Sequence, residues 1–242
     1  MSEFKMPTEI VELPSKGLLY DKTSELSNGT IEIKHMSARE EDILTNRRFI
    51  EDGTVLDRLL KSLIVTPINF DDLLIGDKNA IMIAARILGY GKDYSFEYGG
   101  ESHTVDLSLI DSKPINEEIF TPGKNEFEFT LPYSKNTVTF KLLTQKDEQD
   151  IDKELAGLRK IKKDDVPELS TRLKYLLTSV EGKRDKADVR NFVDNYLLAK
   201  DSRALREYIK EIQPDVDLTF FPGNTENRIN IPIGLSFFWP DI

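Results

Sequence analysis

One stretch of the sequence, residues 73–91, recurs in altered form 124 residues later. The pattern Leu-Leu-x-x-Asp-x-x-Ala-Ile begins at Leu73, and Leu-Leu-x-x-Asp-x-x-Ala-Leu begins at Leu197. Asp77 and Asp201 occupy the same place in the pattern, each before a run of helix-forming residues. We predict that each carboxylate caps the N-terminus of a helix. This repeat constrains the fold strongly, because it predicts the same capped helix at two places in the chain.

Two further matches extend the comparison between the halves of the chain. Residues 30–37 align with residues 137–144 at an offset of 107, and both segments end at the start of a capping box, at Ser37 and at Thr144. A shorter match, Leu-Leu-x-Ser, begins at Leu59 and at Leu176, at an offset of 117. The offset grows along the chain, and we assign the added residues to loops because longer loops cost little closure entropy.

These matches predict a tandem duplication that divides the chain into residues 1–120 and 121–242, with a seam near residues 120–123. Each half is predicted to contain a β-hairpin, about three helices and a closing β-hairpin, so the expected fold class is α+β. In the first half, residues 9–13 and 30–34 are the expected strands of the opening hairpin, and residues 94–98 and 103–109 form the closing one. Chance similarity is the alternative. The sequence also leaves open whether the halves are two domains or one pseudo-symmetric body.

The helix predicted after Asp77 differs from its counterpart after Asp201. Residues 78–88 are apolar on nearly every side, and Arg86 is the one charge from residue 80 onward. This pattern is typical of a helix that is buried all round. The helix after Asp201 has a single apolar stripe. The first helix therefore needs a cover, which is either the other half of the chain or another protein.

The composition excludes several classes of protein. The chain has 242 residues, 39% of them hydrophobic, which is enough for a packed core. A net charge of −10 argues against a main role in coating nucleic acid or an anionic membrane. The absence of cysteine excludes disulfides and thiolate metal sites. We find no run of about 20 apolar residues and no signal sequence, so we expect a protein of the cytoplasm in which it is made.

The charge is distributed unequally between the halves. Residues 1–120 hold 13 Lys and Arg against 22 Asp and Glu, a net charge of −9, whereas residues 121–242 hold 20 against 21, a net charge of −1. The two dense basic clusters, residues 159–163 and 183–186, lie in the second half. They suggest a nucleic-acid-binding regulator as an alternative function. The clusters lack the interleaved aromatic residues that stack on bases, so we expect them to be solvated loops.

The sequence offers no clear catalytic or metal site. Neither of the two histidines, His35 and His103, has a second ligand at metal-binding spacing. Acidic runs at residues 40–42 and 71–72 could supply general acid and base groups, but acids in the first turn of a helix also stabilise its dipole. No catalytic or nucleotide-binding motif is present. We therefore expect no enzyme activity, cofactor, metal or small-molecule substrate.

The C-terminal segment ends in three adjacent aromatic residues, Phe237, Phe238 and Trp239. Residues 229–233 alternate in polarity as a strand does, and Pro232 suggests an edge strand. Chain ends fray unless they are held in place. The three aromatics therefore either pack onto the core of this chain or bind a partner protein. We retain Phe237, Phe238 and Trp239 as candidate partner-binding residues.

Five segments carry a resemblance to a known family: residues 13–17 (LPSKG), 36–44 (MSAREEDIL), 73–91, 201–209 (DSRALREYI) and 237–241 (FFWPD). They resemble proteins of T-even-like tailed bacteriophages that are identified as baseplate hub subunits or hub assembly factors. The resemblance spans nearly the whole chain, although its motifs are mostly helix starts and turns.

The resemblance implies a non-enzymatic structural or assembly component of a contractile tail baseplate. Its expected partners are other tail and baseplate proteins. A structural subunit would lie in the virion tail, and in the host cytoplasm during assembly. An assembly chaperone that is absent from the mature virion is the alternative. The family supplies no catalytic residues to assign to this sequence.

Overall fold

A computed structural model of the chain describes residues 5–162, 166–222 and 228–238. Within these ranges the chain combines α-helices with small antiparallel sheets, which confirms the predicted α+β class. The α-helices are α1 (Ala38–Leu44), α2 (Arg47–Glu51), α3 (Val55–Leu63), α4 (Ile75–Tyr90), α5 (Gln145–Lys162), α6 (Glu168–Leu176), α7 (Lys186–Asn195) and α8 (Ala199–Ile212). The strands are β1 (Thr8–Glu12), β2 (Thr30–Lys34), β3 (Asp93–Tyr98), β4 (Glu101–Asp106), β5 (Phe127–Thr130), β6 (Thr137–Phe140), β7 (Leu177–Val180), β8 (Thr219–Phe220) and β9 (Ile229–Asn230).

The strands form four small antiparallel sheets. Strands β1 and β2 pair with Thr8 opposite Lys34, and β3 pairs with β4 in the tight hairpin that the sequence predicts. Strand β7 adds to the β5–β6 hairpin, whereas the β8–β9 pair is only two residues long on each side. The side chains of β2 alternate, with Ile31 and Ile33 buried, whereas β1 is mostly exposed and its Ile10 is 73% exposed.

One of the three repeat matches is wrong at the level of structure. Leu59 lies in the middle of α3, whereas Leu176 is the last residue of α6 and the matched Ser179 lies in strand β7. The Leu-Leu-x-Ser pattern was too short to distinguish a helix from a strand. The ends of α3 and α6 correspond instead, because the residues after each helix pair with the second strand of their half. The Val65 N–H donates to the Glu32 carbonyl, and the Lys141 N–H donates to the Leu176 carbonyl.

The predicted N-cap roles of Asp77 and Asp201 are also wrong. Both are the third residue of their helix, α4 and α8, and the N-cap positions belong to Leu74 and Leu198. Asp77 accepts hydrogen bonds from the Ser15 N–H (2.9 Å), the Ser15 hydroxyl (2.7 Å) and a tyrosine hydroxyl. Each aspartate therefore holds a distant turn against the start of its helix.

The turn held by Asp201 corresponds in sequence to the turn held by Asp77. Asp201 accepts from the backbone N–H groups of Tyr133 (2.8 Å) and Ser134 (3.0 Å), which follow a Leu-Pro pair as Ser15 does. The capping boxes match as well: Glu40 accepts from the Ser37 N–H, and Asp147 accepts from the Thr144 N–H. Duplication stays an interpretation of the sequence, and these paired contacts support it.

The buried apolar side chains of the two halves form one continuous core. Helix α4 lies within it, with Ile81 fully buried and Met82 4% exposed. Its neighbours are α3 and β1 from the first half and the 3₁₀ turn Leu235–Phe238 from the second. Gly76 lets the start of α4 approach the second half, since a Cβ at Gly76 would lie 1.9 Å from the Pro214 carbonyl oxygen. The cover of the all-apolar helix therefore comes from this chain itself.

Candidate functional site

An open, mostly apolar groove of about 580 Å³ lies in the second half of the molecule. It lies at the N-terminal ends of α6 and α8, beside the C-terminal part of α7. Its lining residues are Val166, Pro167, Glu168, Leu169, Ser170, Leu173, Val193, Leu197, Ala199 and Ser202. Leu169, which lines the groove, is 49% exposed, and Leu198, whose neighbours Leu197 and Ala199 line it, is 50% exposed. Exposed apolar side chains around a groove are typical of a protein contact surface.

Some polar groups at this groove lack hydrogen-bond partners within the described part of the chain. The N-cap residues of α6 and α8 are Pro167 and Leu198, and neither has a side chain that can accept a hydrogen bond from the first turn. Ser202 is 7% exposed, and its hydroxyl has no hydrogen-bond partner among the described residues. Buried hydroxyl groups in folded proteins usually have a partner. The Ser202 hydroxyl is itself buried, so what the start of α8 can offer to another chain is its first-turn backbone N–H groups.

The corresponding place in the first half is occupied. The segment before α4, residues 73–75, lies antiparallel to the segment before α5, residues 143–145. The Gln145 N–H donates to the Leu73 carbonyl (2.8 Å), and the Ile75 N–H donates to the Leu143 carbonyl (3.4 Å). This contact buries Leu73 and Leu74, which are 0% and 4% exposed. A segment of the second half thus covers the start of α4.

A closed set of side-chain contacts reinforces the occupied site. The Lys78 ammonium donates to Asp57 Oδ1 and to Gln145 Oε1, each at 2.7 Å, and the Gln145 amide donates to Asp57 Oδ2 at 2.7 Å. In the second half, Ser202 is the counterpart of Lys78, at the offset of 124 residues. Ser170 is the counterpart of Asp57, because both lie the same number of residues before the end of their helices, α6 and α3. Both serines line the groove. The groove is therefore the counterpart, in the second half, of the site that Gln145 fills in the first.

Sequence reasoning did not find this groove. The signal was present in the repeat itself, because Leu197 and Leu198 align with Leu73 and Leu74. The sequence alone could not show that one pair is covered by a strand-like contact while the other is exposed. That difference depends on which segments the fold brings to each helix start.

Two of the three candidate partner-binding aromatics lie in the core. Phe237 and Phe238 are 0% and 1% exposed, and the Phe237 ring packs edge-on against Tyr94 with 4.8 Å between ring centroids. Trp239 lies outside the described residues. The packing of Phe237 and Phe238 corresponds to the intramolecular alternative, because the 3₁₀ turn that carries them lies against α4. Partner binding by this segment stays a prediction.

Arg86 links the end of α4 to this C-terminal turn. Its guanidinium donates to three carbonyl oxygens, those of Phe237 (2.8 Å), Gly91 (2.9 Å) and Asp93 (3.3 Å). Burial lowers the pKa of Arg86, because desolvation disfavours the charged form. Arginine remains protonated at physiological pH despite this shift. The one charge of α4 from residue 80 onward therefore connects this helix to the C-terminal segment.

One histidine lies among aromatic rings, and the other follows the last residue of strand β2. His103 lies among aromatic rings, with 5.8 Å to the Phe96 centroid and 5.6 Å to the Phe220 centroid. The His35 backbone N–H continues the first hairpin by donating to the Pro7 carbonyl. Among the described residues, no group of three His, Cys, Asp or Glu side chains is close enough to hold a metal ion.

The acidic run at residues 40–42 contains one buried carboxylate, that of Glu40. Burial alone would raise the pKa of Glu40, but hydrogen bonds from Lys34, Ser37 and Ser62 outweigh burial and lower this pKa to about 2. A carboxylate with this pKa and these partners is a weak base and is closed to a substrate. In the second run, the Asp71 N–H and the Asp72 carboxylate both bond to Asn69 in a surface turn.

The basic clusters are partly neutralised by carboxylates. Arg184 donates both guanidinium nitrogens to Glu126, at 2.7 and 3.0 Å, and Arg159 pairs with Glu168 at 2.9 Å. Lys163 lies outside the described residues. Arginines that already pair with carboxylates contribute less to a phosphate-binding surface. Nucleic-acid binding stays a prediction, which a gel-shift titration over salt concentration would test.

Comparisons with known proteins give no assignment, since no family model, no curated protein and no solved structure matches the chain. Among the helices in the described part of the chain, none has the length and apolar character required to cross a membrane.

Proposed function

We propose that this chain is a non-enzymatic structural or assembly component of a contractile phage tail baseplate, in the hub region, and that it acts through protein–protein contacts. The sequence resemblance motivates the baseplate assignment. The observation that carries the contact role is the open groove at the start of α8, where Leu198 is 50% exposed beside the apolar lining. The same segment of the first half is covered by a backbone contact, so this kind of segment is suited to binding another chain.

The state of the acidic groups supports a role without catalysis. Glu40 and Asp77 are fully buried, and their oxygens accept hydrogen bonds from neighbouring elements of the fold. A general acid or base must reach the proton that it transfers. These carboxylates instead stabilise turns and helix starts.

The proposal is tested by capture from infected cells. Tagged wild-type protein, the groove variant Leu198→Asp and the control variant Leu109→Asp are each purified, and co-purifying proteins are identified by mass spectrometry. Leu109 is 77% exposed and, unlike Leu198, does not adjoin a groove-lining residue, so it controls for the loss of an exposed leucine. We expect tail or baseplate proteins with the wild type and the control, and a reduced yield with Leu198→Asp. Capture of no tail protein by any of the three would refute the proposal.

Mass spectrometry of purified virions separates the two forms of this role. A structural subunit is present in mature particles. An assembly chaperone is absent from them but co-purifies with baseplate intermediates.

A further inference from the structure

We propose that the groove binds a second copy of this chain, through the segment Met36–Ala38 of that copy. This inference rests on the proposed role in protein–protein contact and names the partner. Met36–Ala38 is the counterpart of residues 143–145, which cover the start of α4 within one chain. The start of α8, residues 197–199, is the counterpart of the segment that they cover. The chain therefore carries both sides of a contact that it makes once internally.

Exposure shows that both of these surfaces are open. Gln145 is 3% exposed in the internal contact, whereas its counterpart Ala38 is an exposed residue. Leu74 is 4% exposed, whereas its counterpart Leu198 is 50% exposed. One position of the covering segment and one position of the covered segment are thus buried in the internal contact and exposed at their counterparts.

The backbone at the start of α8 already has the conformation of its counterpart in the internal contact. Leu198 has φ −63° and ψ 144°, close to the φ −66° and ψ 147° of Leu74 in the internal contact. Ser37 is extended, with φ −117° and ψ 175°. No ordering of a flexible loop is needed before the segments pair, which reduces the entropic cost of association.

Hydrogen-bond donors are free on each side. Among the described residues, the N–H groups of Ala199 and Ala38 have no acceptor. By analogy with the internal contact, the Ala199 N–H would donate to the Met36 carbonyl of the second copy. The Ala38 N–H of that copy would donate to the Leu197 carbonyl. The exposed leucine and the lining of the groove would be covered at the same time.

The charge distribution favours this head-to-tail arrangement. Met36–Ala38 lies in the half with net charge −9, and the groove lies in the half with net charge −1. A head-to-tail contact brings the strongly acidic half against the nearly neutral half, whereas a symmetric contact through Met36–Ala38 would oppose two strongly acidic halves. Because the two surfaces differ, such a contact repeats from copy to copy and gives rings or filaments.

Two variants that preserve the fold test the proposal. Leu198→Asp places a charge between the groove-lining residues Leu197 and Ala199, and an aspartate at this N-cap position should also cap α8. Ala38→Pro removes the N–H on the other surface, and proline is accepted at the first position of a helix after an extended residue. Circular dichroism melting shows whether each variant is folded. Sedimentation velocity over a concentration series measures the association of the wild type, each variant, and Leu109→Asp as the control.

We expect the wild type and Leu109→Asp to associate with increasing concentration, and each groove-contact variant to associate about tenfold more weakly, as the loss of a hydrogen bond and apolar contact predicts. An equimolar mixture of Leu198→Asp and Ala38→Pro should form dimers that grow no further, because one intact surface remains on each protein. A wild type that is monomeric at every concentration overturns the inference, as does association that both variants leave unchanged. Capture of tail proteins by a monomeric wild type would leave the proposed function standing while removing this inference.

Discussion

Asp77 is a buried acid whose role depends on contacts far along the sequence. It is fully buried, and three donors from Ser15 and Tyr20 point at its two oxygens. The Tyr20 hydroxyl in turn accepts the Leu74 N–H at 2.9 Å. Burial raises the pKa of Asp77 more than these hydrogen bonds lower it. A single carboxylate thus joins the turn after β1 to the start of α4.

Replacing Asp77 should be costly. Asp77→Ala would leave the Ser15 N–H, the Ser15 hydroxyl and the Tyr20 hydroxyl without their acceptor in a buried site, which we expect to lower the free energy of unfolding by roughly 2–4 kcal/mol. Urea denaturation followed by circular dichroism measures the loss. Asp72→Ala is the matched control, because Asp72 is exposed and its replacement should change stability by less than about 0.5 kcal/mol. Equal effects of the two variants would contradict the assigned role.

The lowered pKa of Glu40 predicts how the stability of the protein depends on pH. The pKa of this side chain falls from an ordinary 4.5 to about 2 in the fold. A carboxyl group whose pKa is lowered by folding stabilises the folded state at pH values above its unfolded-state pKa. For Glu40 this contribution is about 3 kcal/mol, and it is lost as the pH falls toward the folded-state pKa. Glu40→Gln should therefore be less stable than the wild type near about pH 6, with a difference that shrinks toward about pH 3. Denaturation series at both pH values, with the exposed Glu41→Gln as control, check this result. A pH-independent difference would rule out the ionised carboxylate as its source.

Residue roles were predictable from the sequence only where their partners are local. The capping box at Ser37 and Glu40 is confirmed, because both residues lie within one turn of chain. The N-cap roles of Asp77 and Asp201 were wrong, because the donors that satisfy these carboxylates lie 62 and 68 residues away. Spacing shows that a carboxylate lies near a helix start. It does not show which distant turn the fold brings to that carboxylate.

The apolar surface of helix α4 predicted its burial but not the elements that cover it. The apolar surface of α4 indicated a helix buried on all sides, and the structure covers it with elements from both halves. The open groove could not be predicted in the same way, since α8 has an ordinary single apolar stripe. What exposes Leu198 is the lack of a covering segment, which is a property of the arrangement of elements.

The contact between α4 and the second half can be tested at Gly76. Gly76→Ala would place a Cβ 1.9 Å from the Pro214 carbonyl oxygen, so the two segments must move apart. We expect a loss of about 2 kcal/mol of unfolding free energy. Gly157→Ala is the matched control within a helix, because no atom lies within 4 Å of its added Cβ. That change should stabilise the protein by about 0.5–1 kcal/mol, as alanine does in place of glycine in a helix. Thermal melts should show a lower melting temperature for Gly76→Ala and a higher one for Gly157→Ala.

The two halves of the chain are joined by more than a shared core. The Lys78, Asp57 and Gln145 contacts connect α3 and α4 to the start of α5. A second connection runs from residues 111–113 to residues 215–217 through backbone hydrogen bonds. The repeat in the sequence suggested two equivalent halves, yet it could not show that the second half completes the first. The unequal apolar surfaces of α4 and α8 were the one sign of this asymmetry.

These connections predict that the halves unfold together. If α4 depends on the second half for its cover, neither half can lose its packing without exposing the other, and calorimetry should give one transition whose calorimetric and van't Hoff enthalpies agree. Gln145→Ala removes the side-chain link from α5 to α3 and α4, while Lys78 and Asp57 stay paired with each other. This variant should lower the midpoint of the whole transition while keeping it single. A split into two transitions, of which only one shifts, would instead show that residues 1–120 and 121–242 behave as separate domains.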